Sequence, residues 1–157
     1  MTDELKPNGA RPDPEHTGWL SWGESPPGTF VGATGKFIFR PDGDGQARVR
    51  WFPDDSHVNI GGSIFGGAIL SFIDMALFAG GRCAGMGEGH YVTLDCATHF
   101  IARGETNVAM DAVVRLVGET KGGLVFLSGH CEQGDRTTHS FTGTLKRVRA
   151  RVADGAK

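Results

Sequence analysis

Cysteine pairs, basic clusters and long uninterrupted apolar runs are all missing from this 157-residue chain. Each absence argues against a class of function. The three cysteines, Cys83, Cys96 and Cys131, form no C-x-x-C pair. An odd count at such spacing points away from a disulfide framework or a zinc site and towards a reducing compartment, the cytoplasm. Lys and Arg number 16 against 18 Asp and Glu, for a net charge of −2. With no concentrated positive footprint, nucleic acid is not the expected partner. The most apolar stretch, residues 66–81, carries Asp74 in its middle and is shorter than the ~20 residues of a membrane span. Residues 1–14 are polar, with acids and prolines, and have no apolar core of a signal peptide. No membrane association is therefore expected. No Walker or dinucleotide glycine motif occurs. His16, His57, His90, His99, His130 and His139 show no metal-ligand spacing, so neither a metal nor an organic cofactor is expected.

Glycine, by contrast, is abundant: 25 residues, more than twice the usual share of roughly 7%. Many sit at turn positions, among them Gly43, Gly45, Gly118, Gly122, Gly123 and Gly134, as suits a chain that reverses often. A separate cluster, Gly61, Gly62, Gly66 and Gly67, precedes and opens the apolar stretch. Length suits one core, and no internal repeat is visible. The expected organisation is a flexible arm over 1–27, one domain over 28–150 and a tail over 151–157, with Trp19 and Trp22 anchoring the end of the arm in a short helical turn.

Apolar alternation predicts strands over 36–40 and 46–52, joined by the turn Pro41-Asp42-Gly43-Asp44-Gly45. Ala47, Val49 and Trp51 share one face of the second; Gln46, Arg48 and Arg50 share the other. Residues 53–65 read as a loop. Residues 66–84 read as a helix, apolar on nearly every side and therefore surrounded by protein, and no other segment argues for a helix as strongly. Strands follow over 91–101, 107–117, 124–131 and 137–148. The first should have Val92, Leu94, Cys96 and Phe100 on one face, and the second aligns Val108, Met110, Ala112, Val114 and Leu116. The order ββαββββ is an α+β pattern in which one long helix and an antiparallel sheet cover each other if the sheet wraps the helix.

Two features carry chemistry. Asp74 is flanked by large hydrophobic residues for two turns in each direction. An ionised carboxylate there costs several kcal/mol unless it is paired or hydrogen-bonded. A solvent-facing stripe or a basic partner would explain it structurally; a general base or nucleophile would explain it chemically. The second feature is Phe65-Gly66-Gly67 at the helix start. Amides of a first turn have no intrahelical partner, and glycines let a ligand approach them. Such donors can stabilise the oxyanion formed when a thioester carbonyl is attacked.

Asn59-x5-Phe65-Gly66-Gly67-x6-Asp74, followed by Val92-Thr93-Leu94-Asp95, resembles the PaaI-type acyl-CoA thioesterases of the hotdog superfamily over roughly residues 28–147. The resemblance implies a hotdog fold, an antiparallel sheet around one central helix, and hydrolysis of an aliphatic or aromatic acyl-CoA to free acid and CoA. It implies Asp74 as general base or nucleophile, Thr93 holding the water or the carboxylate, the Gly66 N–H as oxyanion donor, and Asn59 shaping the pocket. It places Phe65, Gly67, Phe100, Arg103, Lys121 and Gly122 along the substrate. The family histidine at the helix start is replaced by Phe65, which leaves a second reading open: a catalytically silent hotdog protein that binds an acyl-CoA or an aromatic acid. A hotdog dehydratase or hydratase ranks below both, for want of that histidine.

Gly66 and Asp74 are eight residues apart, or ~12 Å along a helix rising ~1.5 Å per residue. One thioester cannot touch both within one chain. A complete site would need Gly66 of one protomer and Asp74 of another, which predicts a homodimer with two equivalent sites, as the family resemblance also implies. Further pairing into a homotetramer stays open.

Overall fold

The computed structural model describes residues 9–23 and 25–149; residues 1–8 of the expected arm and the tail over 151–157 lie outside them. Its strands are β1 (Arg11–Pro12), β2 (Leu20–Ser21), β3 (Phe37–Pro41), β4 (Gln46–Trp51), β5 (His90–Phe100), β6 (Met110–Glu119), β7 (Leu124–Gln133) and β8 (Arg136–Val148). Its helices are α1 (Phe30–Thr34) and α2 (Gly66–Cys83). All strand pairs are antiparallel, in one sheet ordered β1-β2-β3-β4-β6-β7-β8-β5. The sheet wraps α2, which packs against β3, β4, β5 and β6. This is the hotdog arrangement of the α+β class.

Alternation accounts for the wrapping. Ala47, Val49 and Trp51 of β4 are fully buried, as are Met110, Ala112 and Val114 of β6. They meet Ile69, Phe72, Ile73, Ala76 and Leu77 of α2, and each large apolar side chain so buried contributes about 1.5–3 kcal/mol. Trp51 joins three elements: its ring stacks on Phe72 with centroids 5.1 Å apart, and its Nε1 donates to the Thr34 carbonyl at 2.6 Å. The opposite face of β4 is ionic. Arg50 makes a two-pronged contact to Asp111, at 2.6 and 2.8 Å, and Arg48 joins Asp42, Asp111 and Glu132. Although burial pushes the Asp111 carboxyl up, the two guanidiniums hold it below its ordinary value.

α2 has 18 residues of mean hydropathy 1.2, long and apolar enough on composition alone to cross a membrane, where the sequence reading has the stretch too short. The sheet accounts for that apolarity, since the core-facing residues named above are at most 1% exposed.

One close approach fixes a glycine in the sheet. A Cβ on Gly129 of β7 would lie 2.2 Å from the Val113 carbonyl oxygen and 2.5 Å from Phe141. The first neighbour is backbone and cannot turn aside. Gly129→Ala is expected to cost about 3 kcal/mol, read as a lower urea midpoint at unchanged slope; an unchanged midpoint would show that the strands have room to part.

Several elements differ from the sequence reading. Residues 11–12 and 20–21, placed in the expected arm, pair with each other and onto β3 through Leu20 opposite Phe39. Trp22 packs on Phe37 and Phe39, and Trp19 lies beneath Arg40 and Arg50; neither forms a helical turn. α1 was not expected. Thr29 caps it by accepting from the Gly32 N–H at 3.1 Å, and five residues are too few to show a periodicity. Residues 55–57, read as loop, form a 3₁₀ turn capped by Asp54 and His57. β6 starts at Met110 rather than 107, because Asn107 adopts φ 62° and bonds back to Pro53 and Asp55.

The largest difference is in β5. A bulge between Thr93 and Asp95 changes which residues share a face. Val92 and Leu94, expected to share a face with Cys96, are 44% and 56% exposed, whereas Cys96 packs against the core with Tyr91.

The N-terminal segment is tied down at Asp13, whose side chain is 2% exposed. It accepts from His16 Nδ1 at 2.8 Å, the Glu15 N–H at 3.1 Å and Lys36 Nζ at 3.3 Å. Burial alone would raise this carboxyl; the hydrogen bonds outweigh it and hold the group well below the usual carboxylate range. Folded Asp13 therefore binds its proton more weakly than the unfolded chain does. Its contribution to stability is complete above the ordinary carboxylate value near pH 4 and is lost as pH falls through and below it. The melting temperature of the native chain is expected to fall more steeply below pH 4 than that of Asp13→Asn. Parallel curves would show that Asp13 does not couple folding to protons.

Candidate active site

α2 turns one stripe away from the sheet. Gly67, Leu70, Ser71, Asp74 and Phe78 recur at helical spacing and are partly or fully exposed. One side of this stripe meets β5, where the Thr93 hydroxyl donates to Asp74 Oδ1 at 2.7 Å. The bulge in β5 follows directly after Thr93, so Thr93 faces the helix while Leu94 faces out. No lysine, arginine or histidine forms an ion pair with Asp74 among the described residues. In a single chain Asp74 thus reaches the surface of the stripe, and the deep burial suggested by its sequence neighbours is not met. Cys96 stands near Asp74. Burial, and with it the neighbouring Asp74 and Asp95 charges, push its thiol above the ordinary value against the lowering effect of its Thr98 contact.

At the N-terminus of α2, Phe65 precedes the helix with φ −63° and ψ 133° and no side-chain cap. The Ala68 and Ile69 amides both donate to the Phe65 carbonyl, at 2.9 and 3.2 Å. Among the described residues the Gly66 and Gly67 amides have no hydrogen-bond partner. The Phe65 ring folds over Gly67, where a Cβ would meet Cε1 at 2.5 Å. A Cβ on Gly66 would meet only the Phe100 ring, at an ordinary 3.5 Å. Phe65 and Phe100 are 57% and 56% exposed, so two aromatic rings flank the two free amides.

The remaining sequence candidates divide by place. The Asn59 side chain is used within its own loop: Oδ1 accepts from the Gly61 and Ser63 amides, and Nδ2 donates to Ser63 Oγ. These bonds fold the loop that precedes α2. Arg103 Nη2 donates to the Gly61 carbonyl at 2.8 Å, tying the same loop to the chain beyond β5. Lys121 and Gly122 lie in the β6–β7 turn, where the Gly122 carbonyl accepts from Lys146 Nζ. Lys146 pairs with Val92, whereas Phe100 pairs with His139. Those two levels are ~26 Å apart along β5 at ~3.3 Å per residue. One chain therefore groups Phe100 and Arg103 with Gly66, and Lys121 and Gly122 with the Thr93 end, rather than joining all four. Nor does it bring Gly66 and Asp74 together.

Sequence reasoning takes Trp22 only as an anchor of the arm and does not single out Met75; with Lys36 the two line a cavity. Met75 reads as one more apolar residue of a helix, and Trp22 falls in a segment read as an arm. Only the docking of that segment reveals them.

No protein-family model matches the chain, and no curated protein matches it in sequence. Solved structures do match in shape. A mutant of the phenylacetic acid degradation protein PaaI from Thermus thermophilus superposes with a TM-score of 0.61 at 18% identity, over 71% of this chain and 93% of that one. PaaI of E. coli, from the phenylacetic acid degradation operon, gives 0.61 at 21% identity, over 71% and 79%. A hypothetical thioesterase from Streptococcus pneumoniae, solved with coenzyme A, gives 0.63 at 17% identity, over 75% and 93%. The chain has the hotdog fold of PaaI and related thioesterases.

Proposed function

We propose that this protein is an acyl-CoA thioesterase that acts as a homodimer. One observation carries the reading: a carboxylate with no cationic partner among the described residues, oriented by a hydroxyl at 2.7 Å, on the one helix stripe the sheet leaves uncovered. In the proposed reaction Asp74 accepts a proton from water as the water oxygen bonds to the thioester carbon. The carbonyl oxygen takes up negative charge and accepts from the Gly66 N–H of the partner protomer. The carbon–sulfur bond then breaks, and the CoA sulfur leaves with a proton. Direct attack by Asp74 through an anhydride gives the same products after one more hydrolytic step.

Three features support the two-chain arrangement. Gly66 and Asp74 are too far apart in one chain. β5, eleven residues long, pairs only with β8 among the described residues, and such an edge strand pairs readily with another chain. Leu70, Val92 and Leu94 are 44–56% exposed beside that edge and stripe, apolar area that association would cover. Phe65, which fills the position of the family histidine, favours a second reading, a binding protein without turnover.

Thiol release from aliphatic and aromatic acyl-CoAs separates the two. Turnover that scales with enzyme and survives metal chelation supports the hydrolase. Tight binding of the same compounds with no thiol released from any of them would establish the binder.

A further inference from the structure

Resting on the thioesterase reading, we infer that the cavity between the N-terminal segment and α1 is the pocket for the acyl group, and that it selects a bulky, uncharged acyl chain. The cavity measures about 730 Å³, within the roughly 300–1,000 Å³ of small-molecule pockets. Its walls include Trp22, Pro26, Val31, Phe37 and Met75. Met75 supplies the link to the chemistry. It follows Asp74 directly in α2 and packs against the edge of the core, and a helix turns ~100° per residue. Asp74 thus faces β5 while Met75 faces the N-terminal segment. The cavity lies around the helix from Asp74, with Met75 as the residue of α2 that lines it.

Charge decides which end of the substrate enters. Asp13, Glu15 and Lys36 also line the cavity, and Lys36 is already engaged by both carboxylates. No positive charge is left over, so the phosphates of CoA are repelled and the neutral acyl end is admitted. Met75 adds an adaptable floor that fits chains of different shape.

The test fills the pocket from its outer wall in the full-length protein. Val31 is 41% exposed on a short helix, so Val31→Trp can be made without touching the α2 core. Ser25→Trp, from the loop on the same wall, is the second variant should the first fail to fold. Thiol release is followed with acetyl-CoA and decanoyl-CoA, and binding of decanoyl-CoA and free CoA by calorimetry in Asp74→Asn. The expected result is a drop of at least tenfold in the ratio of decanoyl to acetyl kcat/KM, with decanoyl-CoA affinity falling equally and CoA affinity unmoved. An unchanged ratio in an active, folded variant overturns the pocket and leaves the thioesterase standing. Absent turnover with any substrate, alongside decanoyl-CoA binding that the tryptophan abolishes, keeps the pocket and removes the thioesterase. Equal affinity for decanoyl-CoA and free CoA in the unsubstituted pocket also overturns the proposal.

Discussion

Asp74→Asn is expected to lower kcat by about 10²–10⁴-fold, the usual contribution of a positioned general base, with little change in melting temperature. The substitution isolates one variable. Asparagine has the shape of aspartate and keeps an oxygen that can accept from the Thr93 hydroxyl, now 2.7 Å from Oδ1, so the geometry is preserved while the proton acceptor is lost. No ion pair is broken, because Asp74 makes none among the described residues, and its partial exposure means that no buried charge is left unmatched. A structural role would show the reverse, unfolding with the rate per folded molecule intact. A fall in kcat at unchanged KM places the loss in the transition state rather than in uniform binding. Activity within a few-fold of the native chain would remove Asp74 from the chemistry.

How much of this was legible in the sequence depends on whether a feature is local. α2 and its start at Gly66 follow from composition, and the faces of β4 and β6 follow from strict alternation. β5 does not: alternation puts Val92 and Leu94 on one face with Cys96 and leaves Thr93 on the other, whereas the bulge after Thr93 brings Thr93 onto the face of Cys96. A bulge is a single extra residue set by its neighbour strand, so nothing in the alternation of one strand announces it. The motif names Thr93 alongside Asp74, a pairing that periodicity alone does not offer. The N-terminal segment failed for a related reason. Its strands are two residues each, too short for any period, and it is held by contacts distant in sequence, Asp13 to Lys36 and Leu20 to Phe39. Asn59 and Arg103 were legible as residue types suited to a site. Their partners in the loop before α2 could be seen only in three dimensions.

Gly66→Pro is expected to lower kcat by about 10²–10³-fold, the effect of losing one oxyanion donor, while leaving α2 in place. Proline is well suited to a first helical position because that amide has no intrahelical partner. The residue before a proline must be extended with ψ between roughly +120° and +160°, and Phe65 already has ψ 133°. Gly66→Ala is the control: it keeps the N–H, and its Cβ meets only the Phe100 ring at 3.5 Å, so it should turn over close to the native rate. The decisive form of the experiment combines the two lesions. If the site takes its amide from one protomer and its carboxylate from the other, a mixed dimer of Gly66→Pro and Asp74→Asn chains has one site carrying both lesions and one carrying neither. Co-expressed with two tags and purified as the mixed species, it should recover about half the native activity from two nearly inactive parents. A site contained within one chain has no such route, since every site would then hold one lesion whatever its neighbour. Recovery therefore reads the ~12 Å between Gly66 and Asp74 along the helix as a rate, and its absence would return both groups to separate roles.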